Sequence, residues 1–328
     1  YSLTGPSGHE ICDRDVFTLL RKVKELGAEG LQAHCPDDPA RLRDAFQLAS
    51  ELGLYLEPYV QLPLHWRDDA EVIERRERAF HVLCRGAAEH GVHALHCTMG
   101  ARERFEDLAR WKRFVVATAD CLERLAPELR DHEIRIGIEN HWDYTTYEIV
   151  EIVERAGPDV AGVGLDTGNL PILGEAFDDA LRRCAPYAVT THLKDVYLMT
   201  TEHGAGRPIV PVGQGQVGMA GAVALLLRHN PGLRVTIEDH PVIYPIDYFD
   251  RWWLDAVPEL TTHDVASMAR LAREGDRWLA ERRVPDAHAA ELVPWSLRGP
   301  ARLAADVATV KEMVRAATST ATDGDHQP

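Results

Sequence analysis

Four segments of the sequence each place an ionisable side chain at the end of a short run that is typical of a buried strand. The segments are RIGIE at 135–139, GVGLD at 162–166, TTHLK at 190–194 and RVTIE at 234–238. The side chains are Glu139, Asp166, His192 and Glu238. Because side chains alternate between the two faces of a strand, each of them shares its face with a Gly or Thr two positions earlier. We therefore expect all four to reach one cavity from neighbouring strands.

Three carboxylates that converge without a cation repel one another, and at least one of them has to take up a proton. A shared divalent metal ion removes this difficulty. Any one of the four could be an ordinary polar residue at a strand end. It is much less probable that all four strands carry such a residue on the same face by coincidence. Three carboxylates with one imidazole suit Mn²⁺, Mg²⁺ or Co²⁺ and also allow Zn²⁺. We expect one divalent ion, with Mn²⁺ as the first choice.

Short apolar runs alternate with longer helical patterns along most of the chain, as in repeated βα units. The predicted helices cover 15–27, 39–52, 69–90, 106–130, 146–156, 175–184, 219–229 and 264–282. Eight strands are predicted, the first truncated at Tyr1 and the others at 29–34, 54–60, 92–97, 134–139, 160–166, 188–193 and 233–238. This count predicts a (β/α)8 TIM barrel, an α/β fold in which the carboxyl ends of the strands line the active site.

The barrel is expected to occupy residues 1–282 as a single catalytic domain. Residues 283–328 then form a C-terminal extension that has no obvious place in the barrel. The last residues of this extension, about ten of them, are small and polar, and we expect them to be disordered.

The bulk composition narrows the class of protein. The chain has 328 residues and a formal net charge of −16, from 36 basic and 52 acidic side chains. This charge repels nucleic acid, so we expect no nucleic-acid partner and a small neutral or polar substrate instead. The six cysteines are scattered without a C-x-x-C pair, which is typical of reduced thiols and indicates the cytoplasm. No apolar run approaches the length of a membrane span, so we expect no membrane association and no signal peptide.

The motifs GIENH, GLDTGN, THLKD and TIEDH contain the four ionisable side chains at intervals of 27, 26 and 46 residues. Together they resemble the sugar isomerase/epimerase superfamily of xylose-isomerase-like barrels, over roughly residues 1–282. The resemblance implies that Glu139, Asp166, His192 and Glu238 are metal ligands. It also implies that Glu139 and Glu238 move protons on opposite faces of a metal-bound ketose, as in the tagatose and psicose epimerases. Isomerases, epimerases, dehydratases and other lyases share these motifs, so the resemblance identifies the superfamily and not one activity.

The chemistry of such a site allows several outcomes. A divalent ion that chelates a carbonyl and the neighbouring hydroxyl of a sugar stabilises the enediolate formed when a carboxylate removes the α-proton. Reprotonation on the other face is epimerisation, reprotonation at the neighbouring carbon is isomerisation, and loss of a β-substituent is elimination. The leading hypothesis is a metal-dependent isomerase or epimerase of a small keto- or aldo-sugar.

The alternative hypothesis is a lyase that uses the same proton abstraction for β-elimination. The resemblance includes dehydratases of the inosose or dehydroshikimate type. It also includes the α-subunit of C-glycoside deglycosidases, which cleaves 3-oxo-glycosides and works with a small partner chain. We accordingly expect a homo-oligomer, or a hetero-oligomer with a small partner subunit if the deglycosidase hypothesis holds. The complete ligand set disfavours a non-catalytic sugar-binding barrel. The acidic charge disfavours a repair endonuclease, which needs more His ligands and a basic groove.

Two residues beside the motifs distinguish these hypotheses. Asn169 stands where epimerase-like members often carry His, and an amide can bind a sugar hydroxyl but cannot exchange protons near neutral pH. His141 shares its face with Glu139, so it is either a general acid or base or a hydrogen-bonded structural histidine. Both departures put a plain epimerase in question. The run Glu139-Asn140-His141 and the aromatic loop after the eighth strand favour the lyase hypothesis.

Further candidates for substrate binding have weaker support. Lys194, two residues after His192, is the cation best placed to hold an oxyanion or hydroxyl, although a surface lysine is the ordinary alternative. His240 stands in the same relation to Glu238. The ends of the second to fourth strands and the loop after the third add His34, Glu57 and His96, and His65 with Trp66.

Two loops have no assigned chemistry. The Gly- and Pro-rich loop 199–218 contains the segment GQGQVG at 213–218. This segment lacks the P-loop lysine, so we interpret it as a turn into the next helix. Five aromatic residues fall between 244 and 253. They could cap the barrel mouth, stack on a ring of the substrate, lie in a subunit interface or pack in the core.

Overall fold

The computed structural model describes residues 15–64, 69–99 and 103–324. The predicted first strand at Tyr1 and the pair His65 and Trp66 lie outside the described residues. The chain divides into two compact units. Of the described residues, the first unit holds 15–165 and 187–190, and the second holds 166–186 and 191–324.

The first unit alternates strands with helices, as the sequence predicts. Its strands are β1 (Gly30–His34), β2 (Tyr55–Tyr59), β3 (Ala94–Cys97), β4 (Arg135–Glu139), β5 (Ala161–Asp166) and β6 (Ala188–His192), of which the last two end in residues of the second unit. Its helices are α1 (Val16–Glu25), α2 (Pro39–Glu51), α3 (Ala70–Glu89), α4 (Glu103–Glu106), α5 (Leu108–Asp131) and α6 (Thr146–Ala156). The single helix predicted at 106–130 is therefore mostly α5, which begins after a short separate helix.

Local sequence signals set the ends of these helices. The side chain of Asp15 accepts the N–H of Thr18 and caps α1, and Asp38 caps α2 in the same way. Gly27 follows α1 with a φ of 77°, a conformation that costs little only for Gly. At α6, Thr145 forms a reciprocal capping box with a glutamate three residues later. These capping residues and glycines determine where the helices begin and end, and they therefore also limit where the strands begin.

The six strands form one parallel sheet in the order β1-β2-β3-β4-β5-β6. A Cβ added at Gly137 of β4 would collide with Thr190 of β6, although β5 lies between these strands. The Nδ1 atom of His96 in β3 lies 2.9 Å from Oγ1 of Thr190. The sheet therefore curls, and small residues on its inner face allow the strands to approach across it. The predicted parity of Gly137 and Gly164 is confirmed, since a Cβ at Gly164 would also meet Thr190.

The second unit contains short strands that the sequence did not predict. They are β7 (Asp195–Val196), β8 (Met199–Thr200), β9 (Ala205–Val210) and β10 (Ile243–Ile246), and β9 pairs antiparallel with each of the other three. Of the loop predicted over 199–218, the GQGQVG segment at 213–218 is a turn that leads into α8, as predicted. The part before it is not a plain loop. Residues 205–208 of β9 pair with β10, and residues 205–206 and 209–210 pair with β8 and β7.

The helices of the second unit follow the predicted pattern up to residue 280 and then continue. They are α7 (Phe177–Cys184), a 3-10 helix (Ala185–Tyr187) that leads into β6, α8 (Met219–His229), α9 (Arg251–Ala256), α10 (Thr262–Ala280), α11 (Ala287–Glu291) and α12 (Trp295–Gly324). The aromatic segment divides, since Tyr248 and Trp253 are buried whereas Phe249 and Trp252 are more than half exposed.

The predicted eighth strand, 233–238, does not form a regular strand. In the part of the chain that the structure describes, it contributes one parallel bridge, between Ile237 and Leu193. Thr236 donates its N–H to the side-chain hydroxyl of Thr191 at 2.9 Å, where a regular strand would use a backbone carbonyl. Period-two alternation cannot reveal that a side chain replaces a backbone partner.

The predicted C-terminal extension is largely helical. Helix α12 packs along α8 and buries Leu303 and Val310. It continues to Gly324, into the segment that the sequence predicts to be disordered. The domain limit at residue 282 stays a prediction. Among the described residues, no helix combines the length and the apolar composition needed to cross a membrane.

Candidate metal site

Three of the four predicted ligands lie together in the second unit. Asp166 ends β5, His192 ends β6, and Glu238 follows the bridge at Ile237. Each offers one ligand atom, and these atoms lie within 4.8 Å of one another. The Nδ1 atom of His192 is 2.9 Å from Oε2 of Glu238 and 3.9 Å from Oδ2 of Asp166. Since ligand bonds to such ions are about 2.0 to 2.6 Å long, one ion could contact all three.

Lys194 belongs to the same cluster as a buried cation. Its Nζ atom is 2.7 Å from Oδ2 of Asp166 and 2.9 Å from Oε2 of Glu238. The side chain is only 2% exposed, so the alternative of a surface lysine does not apply. A buried ammonium is compensated by two carboxylates, and it reduces their mutual repulsion.

The charges around Glu238 favour its ionised form. Burial raises the pKa of Glu238, but the charges of Lys194 and His192 outweigh burial and hold this pKa well below its usual range. The Nε2 atom of His240 is 3.6 Å from Oε1 of Glu238. Burial and the charge of Lys194 lower the pKa of His240 to about 4, so its imidazole is neutral at pH 7. Glu238 is thus available as an anionic ligand, with His240 as an uncharged neighbour.

The turn after β5 holds Asp166 in place. Its Oδ1 atom accepts the N–H of Gly168 at 2.9 Å and that of Asn169 at 3.1 Å. The Oδ2 atom is the one that contacts Lys194. The two carboxylate oxygens therefore have different partners. Backbone N–H groups orient Oδ1, and Oδ2 faces the cation of Lys194. Asn169, predicted to bind substrate, has a buried side chain and contributes its backbone N–H to this turn.

The sequence interpretation missed a buried arginine. Arg207 lies in β9 opposite Tyr244 of β10, and its Cζ atom is 5.8 Å from the centre of the Tyr244 ring. It is 2% exposed, and its Nε and Nη1 atoms have no hydrogen-bond partner among the described residues. Burial lowers the pKa of Arg207, whereas the charges of Asp166, Tyr244 and Glu238 raise it. The available signal was the alternation in GRPIV, which the surrounding glycines and prolines obscured.

The fourth predicted ligand, Glu139, lies at the end of β4 in the first unit. Its side chain is buried, and its Oε2 atom is 3.2 Å from Nε2 of His96 and accepts the hydroxyl of Thr98. The other ring nitrogen of His96 contacts Thr190. His96, predicted to bind substrate, is therefore also a residue that orients Glu139. In the sheet, Glu139 pairs with Gly164, two residues before the end of β5.

His141 follows β4 in the loop that leads to α6. Its Nδ1 atom is buried without a hydrogen-bond partner in the part of the chain that the structure describes. Its ring lies edge-on to Trp142 with 5.8 Å between the ring centres. Arg104 fixes the loop by donating from Nε to the backbone oxygen of Asp143 at 2.6 Å. The alternative of a structural histidine requires a hydrogen bond that Nδ1 does not make here, and an unpaired buried nitrogen is costly unless a ligand uses it.

His34 and Glu57 have protein partners within the first unit. His34 is exposed at the end of β1, and its ring stacks on Tyr59 with 4.9 Å between centres. Glu57 is buried and accepts a hydrogen bond from the side chain of Gln32. Their role in substrate binding stays a prediction.

The donor set of the second unit fits a divalent cation. Two carboxylates and one imidazole supply the oxygen and nitrogen ligands that Mn²⁺ and Mg²⁺ accept. The carboxylates of Asp166 and Glu238 carry two negative charges, of which Lys194 balances one. The cluster could therefore hold a divalent metal ion, and the donor set does not select among Mn²⁺, Mg²⁺, Co²⁺ and Zn²⁺.

Three solved structures share this fold at low sequence identity. A xylose isomerase-like TIM barrel protein from Mycobacterium smegmatis in complex with magnesium is 17% identical with a TM-score of 0.55, over 82% of this chain and 94% of that one. A xylose isomerase domain protein from Planctomyces limnophilus is 18% identical with a TM-score of 0.51, over 76% and 92%. A D-psicose 3-epimerase with D-tagatose from Clostridium cellulolyticum H10 is 15% identical with a TM-score of 0.50, over 80% and 93%.

The sequence also matches a family model over most of its length. No protein with a curated description is significantly similar in sequence. The family model of xylose isomerase-like TIM barrels matches residues 20–280, which is well over half of the chain. This match confirms the predicted α/β barrel fold class and the predicted superfamily. The chain belongs to the xylose isomerase-like TIM barrel family.

Proposed function

We propose that the protein is a divalent-metal-dependent isomerase or epimerase of a small keto- or aldo-sugar. The observation that carries this proposal is the cluster of Asp166, His192 and Glu238 around the buried Lys194. A buried site with this donor set suits a metal enzyme better than a structural core, because uncompensated carboxylates destabilise a core.

We take Glu139 to be the fourth ligand. This part rests on the sheet register, in which Glu139 pairs with Gly164 and Asp166 follows two residues later on the same strand. Side chains two residues apart share a face, so Glu139 and Asp166 have the same parity. The hydrogen bonds from His96 and Thr98 would then orient a ligand carboxylate, as is common around protein metal sites.

The bound ion would polarise the sugar carbonyl and so acidify the neighbouring C–H bond. Glu238, which its neighbours keep ionised, is the proposed base that removes this proton. Glu139 is the proposed carboxyl group that exchanges a proton on the opposite face. Lys194 and Arg207 are the cationic donors that would stabilise negative charge on the substrate oxygens.

The similar proteins support the choice of substrates for a test. One of them is a D-psicose 3-epimerase solved with D-tagatose, and another was solved with magnesium. Their identity to this chain is too low to transfer an activity, so they contribute the fold and a starting panel of ketoses.

One observation favours the lyase as a second candidate. The Nδ1 atom of His141 is buried without a partner among the described residues, as expected of a group that exchanges a proton with a ligand. An imidazole can protonate a leaving group near neutral pH, which β-elimination needs and a two-carboxylate epimerase does not.

The test is incubation of the chelator-treated protein with Mn²⁺ and a panel of ketoses and 3-oxo-glycosides in D₂O, followed by NMR. We expect an isomeric sugar that carries deuterium at the carbon next to the carbonyl, and we expect EDTA to prevent its formation. Release of an aglycone or of water supports the lyase. Absence of deuterium exchange in every substrate contradicts both.

Glu238→Gln is the diagnostic variant, because it keeps the shape of the side chain and removes its charge. We expect it to lose deuterium exchange. The matched control is Glu151→Gln, at an exposed glutamate of α6, which should exchange deuterium at the parent rate. Equal exchange in Glu238→Gln and the parent contradicts the role of Glu238 as the base.

A further inference from the structure

The segment that carries Glu238 and His240 has little backbone support. Among the described residues, its ladder contact is the single bridge at Ile237, and the N–H of Glu238 donates to Leu193 at a long 3.3 Å. Regular pairing resumes only at β10. A carboxylate that holds a metal needs supporting contacts that fix its orientation. Some other element must therefore restrain this segment.

The C-terminal helix α12 makes that contact. Its Arg302 donates from Nη2 to Oδ1 of Asp239 at 2.8 Å, and Asp239 is the residue between Glu238 and His240. The side chain of Asp239 is 3% exposed and that of Arg302 is 12% exposed. The contact is thus a buried ion pair directly beside the proposed ligand, from a helix outside the predicted barrel.

Contacts on both sides of Arg302 hold helix α12 in place. Asp306, one turn further along α12, is buried and accepts the N–H of Val212 at 2.9 Å. The guanidinium of Arg302 lies over the ring of Trp295 at 5.6 Å, and Trp295 is also buried. These contacts fix the position of Arg302, so that its hydrogen bond can restrain Asp239.

We propose that Arg302 is a positioning residue for the metal site, and that α12 clamps the 238–240 segment through Asp239 in place of strand pairing. The inference rests on the proposed function, since it takes Glu238 to be a ligand. It gives the C-terminal extension a role in the site. Removing Arg302 takes a buried donor away from the Asp239 carboxyl, and we expect a large effect because a buried polar group that loses its hydrogen-bond partner is costly.

The first test measures Mn²⁺ binding to the chelator-treated protein by isothermal titration calorimetry. We expect Arg302→Met to bind Mn²⁺ at least about tenfold more weakly than the parent, the usual range for loss of a residue that supports a ligand. Arg302→Lys keeps the charge but not the planar donor, and its affinity should lie between the two. The matched control is Arg315→Met, at an exposed arginine further along α12. It should stay within about twofold of the parent. Equal affinity in Arg302→Met and the parent overturns the proposal.

The second test is hydrogen exchange of the metal-free protein, measured by mass spectrometry on peptides that cover 233–242. We expect faster exchange in this segment for Arg302→Met and not for Arg315→Met, because local opening sets the exchange rate. If Arg302→Met does not fold, Arg302→Lys decides, and parent-like exchange in it overturns the proposal. The measurement needs no metal. If the parent fails to bind Mn²⁺, the proposed function fails while exchange still decides whether α12 acts as a clamp.

Discussion

The ends of β5 and β6 and the segment 238–240 carry the same kind of side chain but are held in different ways. Asp166 and His192 end regular strands of the parallel sheet. Glu238 follows a single bridge, and its neighbour Asp239 is tied to the C-terminal helix. Backbone pairing therefore positions Asp166 and His192, whereas side-chain contacts restrain the segment that carries Glu238. Substitutions in the two regions should fail in different ways.

The largest effect is expected at the end of β5. Asp166→Asn removes a buried negative charge from the proposed ligand set and keeps an oxygen that can accept the N–H groups of Gly168 and Asn169. We expect Mn²⁺ binding to weaken by more than about 100-fold, beyond the loss seen for supporting residues, and turnover to be lost. Calorimetry and the D₂O assay measure both. Asp159→Asn, at an exposed ion pair with Arg130, is the control and should behave as the parent. Retained Mn²⁺ affinity in Asp166→Asn contradicts its assignment as a ligand.

Lys194→Met tests whether Lys194 stabilises negative charge on the substrate or instead supports metal binding. Its removal raises the pKa of Glu238, because the charge of Lys194 is the largest of the influences that lower it. We expect turnover to fall by about 10² to 10³, the range for losing one donor to an oxyanion. Mn²⁺ affinity should not weaken, since a competing positive charge has gone. Lys112→Met, at an exposed position of α5, controls for the loss of a lysine. Weaker Mn²⁺ binding in Lys194→Met contradicts this role.

His141→Gln separates proton transfer from metal binding in the loop after β4. Gln keeps a hydrogen-bonding group but cannot carry a proton near neutral pH. If the lyase candidate holds, we expect near-normal Mn²⁺ affinity and turnover lowered by about 10²-fold, the usual scale for a general acid or base. His288→Gln, at an exposed histidine of α11, is the control. Turnover at the parent rate shows that His141 is structural and favours Glu139 and Glu238 as the proton-moving pair.

The smallest effect concerns the regular strands themselves. A Cβ at Gly137 would collide with Thr190, so we expect Gly137→Ala to lower the free energy of unfolding by about 1 to 3 kcal/mol. A Cβ added at Gly221 in α8 would meet no atom within 4 Å, so Gly221→Ala should instead raise stability, by up to about 1 kcal/mol. Urea unfolding of both variants measures the difference. An unchanged unfolding midpoint for Gly137→Ala indicates that the curled sheet is less tightly packed than the structure implies.

The sequence predicted the regular part of this structure because simple periodicities determine it. Strands β1 to β6 and their helices follow the alternation of apolar residues, and the caps and glycines mark their ends. Asp166, His192 and Glu238 were found because each stands at a strand end above a residue of matching parity. Lys194 and His240 were found by the same rule, two residues later on the same face.

The remaining features depend on contacts between distant residues, which a local pattern does not contain. Strand β9 and Arg207 lie in a Gly- and Pro-rich run that has the composition of a loop. Thr191 occupies the place of a backbone partner at the predicted eighth strand, which no alternation can reveal. The role of Arg302 depends on the fold of the C-terminal extension, whose sequence gives no indication of a contact with Asp239.

Anomalous diffraction from crystals grown with Mn²⁺ would locate a single divalent ion held by the ends of β4 to β6 and by Glu238. We expect one strong anomalous peak within about 2.0 to 2.6 Å of ligand atoms from Glu139, Asp166, His192 and Glu238. A peak coordinated by other residues, or crystals in saturating Mn²⁺ with no peak at these side chains, contradicts it.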